Sequence, residues 1–454
     1  MKILVLNGSP KGERSTTLQT VRYLQVLHPE HQFLELPVGQ RIKRYEKDFS
    51  TPREALSQAE VILFCYPVYT FLVPYQLHRF LELLRADGVD LSGKIATQIT
   101  TSKHFYDVTA HKFIEANCFD LGMHVVRGLS ADMEDLLTEK GREEARMFFD
   151  QLMFTCQYGG FLPPPSAQPE SIPAVYQPVC SRVEKCSGKR VVLVTCCREE
   201  DQSLLHMIQD FRAVLPYESQ VVNLWDVPFQ GGCLGCLHCA ATGTCIYSDG
   251  FDQFLRSEIQ TADAIVYAFP IVNHYTYSVF KCYDDRQFCN GHRTVTRGTP
   301  VAYLLQGNYQ YEANLQMVLE GRSEVGGNYL CGVVTDEENT AANLQTLAKN
   351  LVFAMEHHLR RPANFYGVGG SKIFRDLIYL MQGMMKADHA FYRAHGAYDF
   401  PQKQKGRLLQ MKLVGTLLAI PSVQKKIKPK MADYMVAPYK KVIAQAQKEQ
   451  KTER

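Results

Sequence analysis

This sequence has few long apolar runs, little net charge and a single tryptophan among 454 residues. The first shortage excludes a membrane span, because no stretch approaches the roughly 20 apolar residues that cross a bilayer. The second removes the usual signature of a nucleic-acid binder, since a net charge of +3 is too small to draw a polyanion. The opening run, Met1 to Gly8, is too short for a secretory leader and has no cleavage region, so a cytoplasmic location is expected. Both common phosphate-loop glycine patterns, G-x-x-x-x-G-K-[ST] and G-x-G-x-x-G, are missing after the first apolar run. Cysteine is plentiful by contrast. Fourteen thiols in a reducing compartment point to metal ligation and buried thiols, not to a disulfide framework.

Four of those cysteines fall in one stretch, Gly232-Cys233-Leu234-Gly235-Cys236-Leu237-His238-Cys239-Ala240-Ala241-Thr242-Gly243-Thr244-Cys245. The spacing C-x2-C-x2-C-x5-C lets three thiolates wrap one corner of a small inorganic core and a fourth close the cage, as in iron–sulfur ligation. Structural zinc sites more often separate two C-x2-C knuckles by a dozen or more residues. Zinc and unligated thiols remain the alternatives. His238 reads as a bystander, because four cysteines already complete a tetrahedral set.

The first half opens on a buried parallel strand, Lys2–Leu6, which has an apolar run without alternation. It leads into Asn7-Gly8-Ser9-Pro10-Lys11-Gly12-Glu13-Arg14-Ser15-Thr16-Thr17, and then Leu18, Val21, Leu24 and Leu27 repeat at helical spacing. Strand, hydroxyl-rich loop and helix together form a phosphate site, because the N–H groups and positive dipole end of the helix face an anion. A plain capped turn is the alternative. Further strands are expected at Gln32–Leu36, Val61–Cys65 and Lys94–Gln98. A helix is expected over Pro52–Gln58 and another over Leu77–Leu84. The loops after the strands, Tyr66–Pro74 and Ile99–Ser102, lie at the carboxyl ends where doubly wound sheets bind ligands.

G-S-P-K followed by S-T-T, with Y-P-V-Y after the third strand, resembles the flavodoxin-like NAD(P)H-dependent FMN reductases over Met1 to about Gln157. The resemblance implies FMN, with Ser9, Lys11, Ser15, Thr16 and Thr17 at its phosphate. It places Pro67, Val68, Tyr69 and Thr70 along the flavin, and Thr100, Thr101 and Ser102 at the other edge of the ring.

Gly159–Pro165 and the later Pro169, Pro173 and Pro178 form a proline-rich spacer that can be neither helix nor central strand. Beyond it the pattern repeats. A strand at Arg190–Thr195 precedes the loop Cys196–Asp201 and a helix at Leu204–Val214. Strands follow at Gln220–Leu224, Ala264–Phe269, Val301–Leu305 and Tyr329–Val334, with a helix over Ala342–Leu359. The loop has lost its glycine and gained Glu199, Glu200 and Asp201, which satisfy a helix dipole themselves and repel an anion. Vicinal Cys196 and Cys197 read as buried bystanders. A repeat of this size means duplicated domains.

With the duplication visible, Gly232–Cys245 with Ser248-Asp249-Gly250, together with Phe269-Pro270-Ile271 and the K-x3-D-R of Lys281 to Arg286, resembles the iron–sulfur flavoproteins. That resemblance implies a [4Fe–4S] cluster on Cys233, Cys236, Cys239 and Cys245 that exchanges electrons with FMN.

The expected fold is therefore α/β: two tandem flavodoxin-like, doubly wound, parallel five-stranded sheets plus a helical C-terminal extension. Its parts are an FMN domain (1–157), a linker (158–188), a cysteine-bearing domain (189–362) and a basic extension (363–454). In the extension, Gly367–Lys372 leads into a helix at Ile373–Met385, Ala394–Pro401 breaks it, and an apolar run at Leu408–Ile420 precedes a lysine cluster. That tail reads as a solvated helical arm covering the two domains, or else as a segment for an anionic membrane or an acidic carrier.

The expected function is an iron–sulfur flavoprotein oxidoreductase whose FMN and cluster face each other across a pseudo-twofold interface. The flavin N5 is its reacting centre, so no catalytic side chain is expected. A ferredoxin or NAD(P)H would be the donor and a small molecule the acceptor, with no nucleic acid and with a homodimer compatible. A cluster-free FMN or quinone reductase and a non-catalytic redox carrier or sensor are the alternatives.

Overall fold

A computed structural model describes residues 1–165, 174–398 and 404–453. The chain divides into two compact units: the described parts of Met1–Ser166, Gly232–Gly235 and Thr416–Arg454, and those of Ala167–Gly231 and Cys236–Gly415.

The first unit alternates strand and helix: β1 (Lys2–Asn7), α1 (Thr16–Leu27), β2 (Gln32–Leu36), α2 (Val38–Tyr45), α3 (Ser50–Gln58), β3 (Val61–Pro67), α4 (Tyr75–Asp87), β4 (Ile95–Ser102), α5 (Asp107–Asp120), β5 (His124–Val125), β6 (Leu129–Asp132) and α6 (Glu139–Tyr158). Its strands are all parallel in the order β2-β1-β3-β4-β5, with β6 also pairing β4. Six strands stand where five were expected, because the last strand position is split in two. β5 pairs Ile95 and Ala96, and β6 pairs Ile99–Ser102. Between them Gly128 lies so close to Gln98 that a Cβ would come within 2.3 Å of its side chain. Residues Ile3 to Leu6 and Val61 to Tyr66 are buried, as a central parallel strand covered on both faces requires.

The second unit repeats the plan: β7 (Cys186–Thr195), α7 (Gln202–Val214), β8 (Tyr217–Asn223), α8 (His238–Thr242), α9 (Phe251–Phe254), β9 (Ala264–Pro270), α10 (Ser278–Arg286), β10 (Pro300–Gln306), α11 (Ala313–Gly326), β11 (Tyr329–Thr335) and α12 (Thr340–Glu356). Its parallel order is β11-β10-β9-β7-β8, the same winding as in the first unit. β7 begins at Cys186, inside the segment expected to be spacer, where Cys186 pairs with Tyr217 ahead of the main register. Pro169 and Pro173 of that segment lie outside the described residues.

Then come α13 (Phe365–Leu380), α14 (Lys386–Ala394), α15 (Lys405–Leu418), α16 (Pro421–Ile427) and α17 (Met431–Glu453). α13 starts eight residues earlier than expected and takes the glycines of Gly367–Gly370 inside it. The reason is Asn364, whose side chain accepts from the N–H groups of Tyr366 (3.0 Å) and Gly367 (3.4 Å) and so fixes the start as an N-cap. The breaker expected at Ala394–Pro401 begins where α14 ends, and its last three residues lie outside the described ones. α17 covers the first unit more deeply than a solvated arm would: Val436, Tyr439 and Ala446 are buried in its core with Leu18, Val21 and Leu24 of α1. Among the described residues, no helix is long and apolar enough to cross a membrane.

Candidate functional site

In the first unit three segments meet at the carboxyl ends of β1, β3 and β4. After β1, the Asn7 side chain accepts from the Ser9 N–H (3.2 Å), and Ser9 Oγ accepts from the Lys11 N–H (3.3 Å). A short 3-10 turn, Gly12–Arg14, follows, and Ser15 caps α1 by accepting from the Leu18 N–H (3.4 Å). Gly12 has a left-handed φ of +55°, and the Gln40 side chain fills the space where its Cβ would be. The hydroxyls of buried Ser9 and Ser15 thus close the loop itself. What the loop offers outward is the helix start, where the first N–H groups, those of Thr16 and Thr17, have no intrahelical acceptor. The Thr17 hydroxyl meets that of Thr101 at 2.6 Å and ties the helix start to β4.

After β3, the Val68 N–H donates to the Thr101 carbonyl (3.2 Å). The chain then turns tightly, with Tyr69 and Leu72 exchanging backbone hydrogen bonds at 2.8 and 3.0 Å. That turn puts two non-glycine residues, Thr70 (φ +41°) and Phe71 (φ +70°), in the left-handed region. The Thr70 hydroxyl is buried and has no hydrogen-bond partner among the described residues. Such strain and such an orphan both cost free energy, and both concentrate at ligand sites.

Thr100, Thr101 and Ser102 are not in a loop as expected but are the last three residues of β4, all buried. Their pairing with Tyr66 and Pro67 on one side and with β6 on the other extends the strand past Gln98. The real loop follows them. His104 and Tyr106 are again left-handed (φ +53° and +54°), and Phe71, Phe105 and Tyr106 pack with centroids 4.3 to 5.2 Å apart. His111 on α5 shares a 2.8 Å hydrogen bond with Thr100 Oγ1, and burial depresses its pKa to about 4. Sequence reasoning missed this aromatic wall and His111; the Phe105-Tyr106 pair just after the Thr-Thr-Ser run was the only signal.

FMN fits these residues: a helix start with free N–H groups suits its phosphate, and the orphaned Thr70 hydroxyl lies on the turn expected beside its ring. One more segment of this unit touches Tyr69 and Lys11. A Cβ on Gly235 would lie 2.0 Å from the Tyr69 hydroxyl and 3.4 Å from Lys11 Cε, and one on Gly232 would lie 2.5 Å from the Tyr75 ring. The first four residues of the cysteine stretch therefore lie flush on the turn and the phosphate loop.

The four cysteines do not share a unit. Cys233 belongs with the first, where its sulfur accepts from the Gly235 N–H (3.4 Å); Cys236, Cys239 and Cys245 belong to the second. Burial, and then the neighbouring Cys236 thiol, push Cys239 up to about 11. Among the described residues no group of three or more His, Cys, Asp or Glu side chains that could hold a metal ion is found, so the expected cluster is not shown. In the second unit, Arg286 clamps the two ends of the cysteine stretch: it pairs with both oxygens of Asp249 at 2.7 Å and donates to the Gly231 carbonyl at 2.9 Å. Lys281 and Asp285, the rest of the K-x3-D-R pattern, form a fully buried ion pair within α10.

The second unit's counterpart of the phosphate loop serves itself. Asp201 accepts from the Arg198 N–H (2.8 Å) and from the Tyr277 hydroxyl (3.2 Å), and the Gln306 side chain takes the Leu204 N–H at the start of α7 (2.9 Å). Arg198 stacks on Tyr277 (4.0 Å) and Trp225 (4.7 Å). Cys196 and Cys197 are buried beside this loop, and burial raises both pKa values, that of Cys197 to about 12.

Among solved structures, the chain is similar to an FMN-dependent NADH-azoreductase from Bacillus anthracis in complex with FMN (12% identity, 33% of this chain and 98% of that one, TM-score 0.27). It is also similar to general stress protein 14 from Treponema denticola in complex with FMN (12%, 34% and 98%, TM-score 0.27). An NAD(P)H:quinone oxidoreductase from Methanothermobacter marburgensis is a third (11%, 39% and 100%, TM-score 0.27). No curated protein matches the chain. Residues 1–124 match the family model described as a flavodoxin-like fold.

Proposed function

We propose that this protein is a flavin-dependent oxidoreductase that holds FMN in its first unit and reduces a small acceptor with electrons from NAD(P)H or a ferredoxin. One observation carries the reading: the α1 start, the Tyr69–Leu72 turn and the end of β4 converge at the carboxyl ends of three parallel strands, with the buried Thr70 hydroxyl left unpartnered. The flavodoxin-like match over residues 1–124 supports it. When bound, FMN supplies the hydride and single-electron chemistry. The chain's own residues bind and orient: the Thr16 and Thr17 N–H groups receive the phosphate, Lys11 adds charge, and Pro67 to Thr70 flank the ring. Phe71, Phe105 and Tyr106 keep water from that edge.

With no metal-ligand group of three or more side chains among the described residues, a cluster-free reductase with structural cysteines is the form favoured here. The C-x2-C-x2-C-x5-C spacing keeps a [4Fe–4S] protein as the second reading, with Cys233, Cys236, Cys239 and Cys245 as its ligands. Purification under anaerobic conditions, a visible spectrum and an iron and sulfide assay separate the two. Flavin bands and NAD(P)H-driven reduction of a quinone without stoichiometric iron support the first. A chain that takes up no FMN overturns both.

A further inference from the structure

α15 is apolar on two sides. Leu408, Met411, Val414, Gly415 and Leu418 are wholly or partly buried, which accounts for one side. Leu409, Leu413 and Leu417 recur every fourth residue along another, and they are 60, 61 and 57% exposed. A helix whose only task is to pack on its own protein carries polar residues on the outer face.

The surrounding charge is as one-sided as the stripe. From Phe400 to Ala432 the chain has eight lysines and arginines and no aspartate or glutamate. Removing those eight cations turns the chain's net charge from +3 to −5, so the basic excess resides in this one segment. Lys405, Arg407 and Lys412 on α15 are exposed, as are Lys425, Lys426, Lys428 and Lys430 on α16 and just after it. A run of exposed Lys425, Lys426, Lys428 and Lys430 suits an anionic partner, and the leucine row requires that it also be apolar beneath its charge.

We propose that α15 is a peripheral docking helix for an anionic lipid bilayer, with Leu409, Leu413 and Leu417 entering the headgroup region and the lysines that follow it along the chain pairing with lipid phosphates. A row of aliphatic side chains flanked by cations, on a helix far too short to span, is the composition of an interfacial helix. An acidic protein would satisfy the lysines but would leave the leucines wet. The inference is independent of the flavin reading.

The test is co-sedimentation of the full chain with vesicles of phosphatidylcholine alone or containing about 30% phosphatidylserine. Binding to the anionic vesicles only, weakened at about 0.5 M salt, is expected. Replacing Lys425, Lys426, Lys428 and Lys430 by Gln should cost roughly fivefold in partitioning per residue. The Leu409→Ser, Leu413→Ser, Leu417→Ser triple variant should bind no better than wild type binds neutral vesicles. Because the stripe is exposed, that variant should keep the wild-type melting temperature. Absence of wild-type binding overturns the proposal, as does equal binding by the triple variant. A concentration-dependent dimer in sedimentation velocity that the triple variant abolishes would overturn it too, by making the stripe a face between copies.

Discussion

At the scale of single residues, the Thr70 hydroxyl is the sharpest feature of the site. A buried hydroxyl without a partner costs about 1–3 kcal/mol, and the turn that holds it is strained as well. Thr70→Val keeps the shape and the branching and removes the orphan. Without flavin, its stability should be unchanged or up to about 1 kcal/mol higher, while the FMN dissociation constant rises roughly fivefold, the worth of one hydrogen bond. Denaturant midpoints and flavin-fluorescence titration read the two effects. A destabilised apoprotein with unchanged FMN affinity would remove Thr70 from the site. His111 makes a second prediction. Above pH 6.5 its imidazole is neutral whether the chain is folded or not. As pH falls below that, the unfolded chain takes a proton that buried His111 refuses until about pH 4. Stability should therefore fall across that window by up to about 3 kcal/mol. His111→Gln should flatten this part of the pH profile of the urea midpoint, and parallel profiles would sink the idea.

At the scale of elements, the strands and the first loop were legible in the sequence because each buried parallel strand is an unbroken apolar run, and Gly8 to Thr17 sits directly between strand and helix. The end of β4 was not, since Thr100, Thr101 and Ser102 look like loop residues and become strand only through pairing with Pro67 and β6. The packing of Gly232–Gly235 on the turn was equally invisible: it joins residues more than 150 positions apart, and no local pattern encodes it. It is testable as an element. Gly235 has a φ of +59°, and a Cβ there meets the Tyr69 hydroxyl, whereas Gly88 (φ +73°) has open space around it. Gly88→Ala should cost only the backbone strain, about 1 kcal/mol. Gly235→Ala should cost about 2–3 kcal/mol, because strain and collision add. In a Tyr69→Phe background the nearest atom retreats to the ring carbon at 3.1 Å, so the excess should shrink by about 1 kcal/mol. A thermal-melt double-mutant cycle measures this coupling, and zero coupling would mean the segment does not rest on Tyr69.

At the scale of the whole molecule, the chain carries two sheets of one winding with different ends. β3 and β9 have the same length, and both lead into a tight turn with two left-handed residues, Thr70-Phe71 in one unit and Asn273-His274 in the other. The ligand ends have diverged where the chemistry matters. In the first unit the Thr16 and Thr17 N–H groups at the α1 start have no intrahelical acceptor. In the second, Asp201 and Gln306 already serve the start of α7, and Arg198 stacks between Tyr277 and Trp225. A phosphate there would have to displace a carboxylate that burial already strains, since the Asp201 pKa is raised chiefly by desolvation. One FMN per chain is therefore expected, from flavin released by heat and measured against protein concentration. Trp225, the only tryptophan, reports on the second unit's loop: its indole donates to the Cys196 carbonyl and carries Arg198 on its ring, so a flavin entering that loop should change its fluorescence. Two FMN per chain, with strong quenching of Trp225 at the second equivalent, would mean that Asp201 yields its place and that the second unit is a flavin site in its own right.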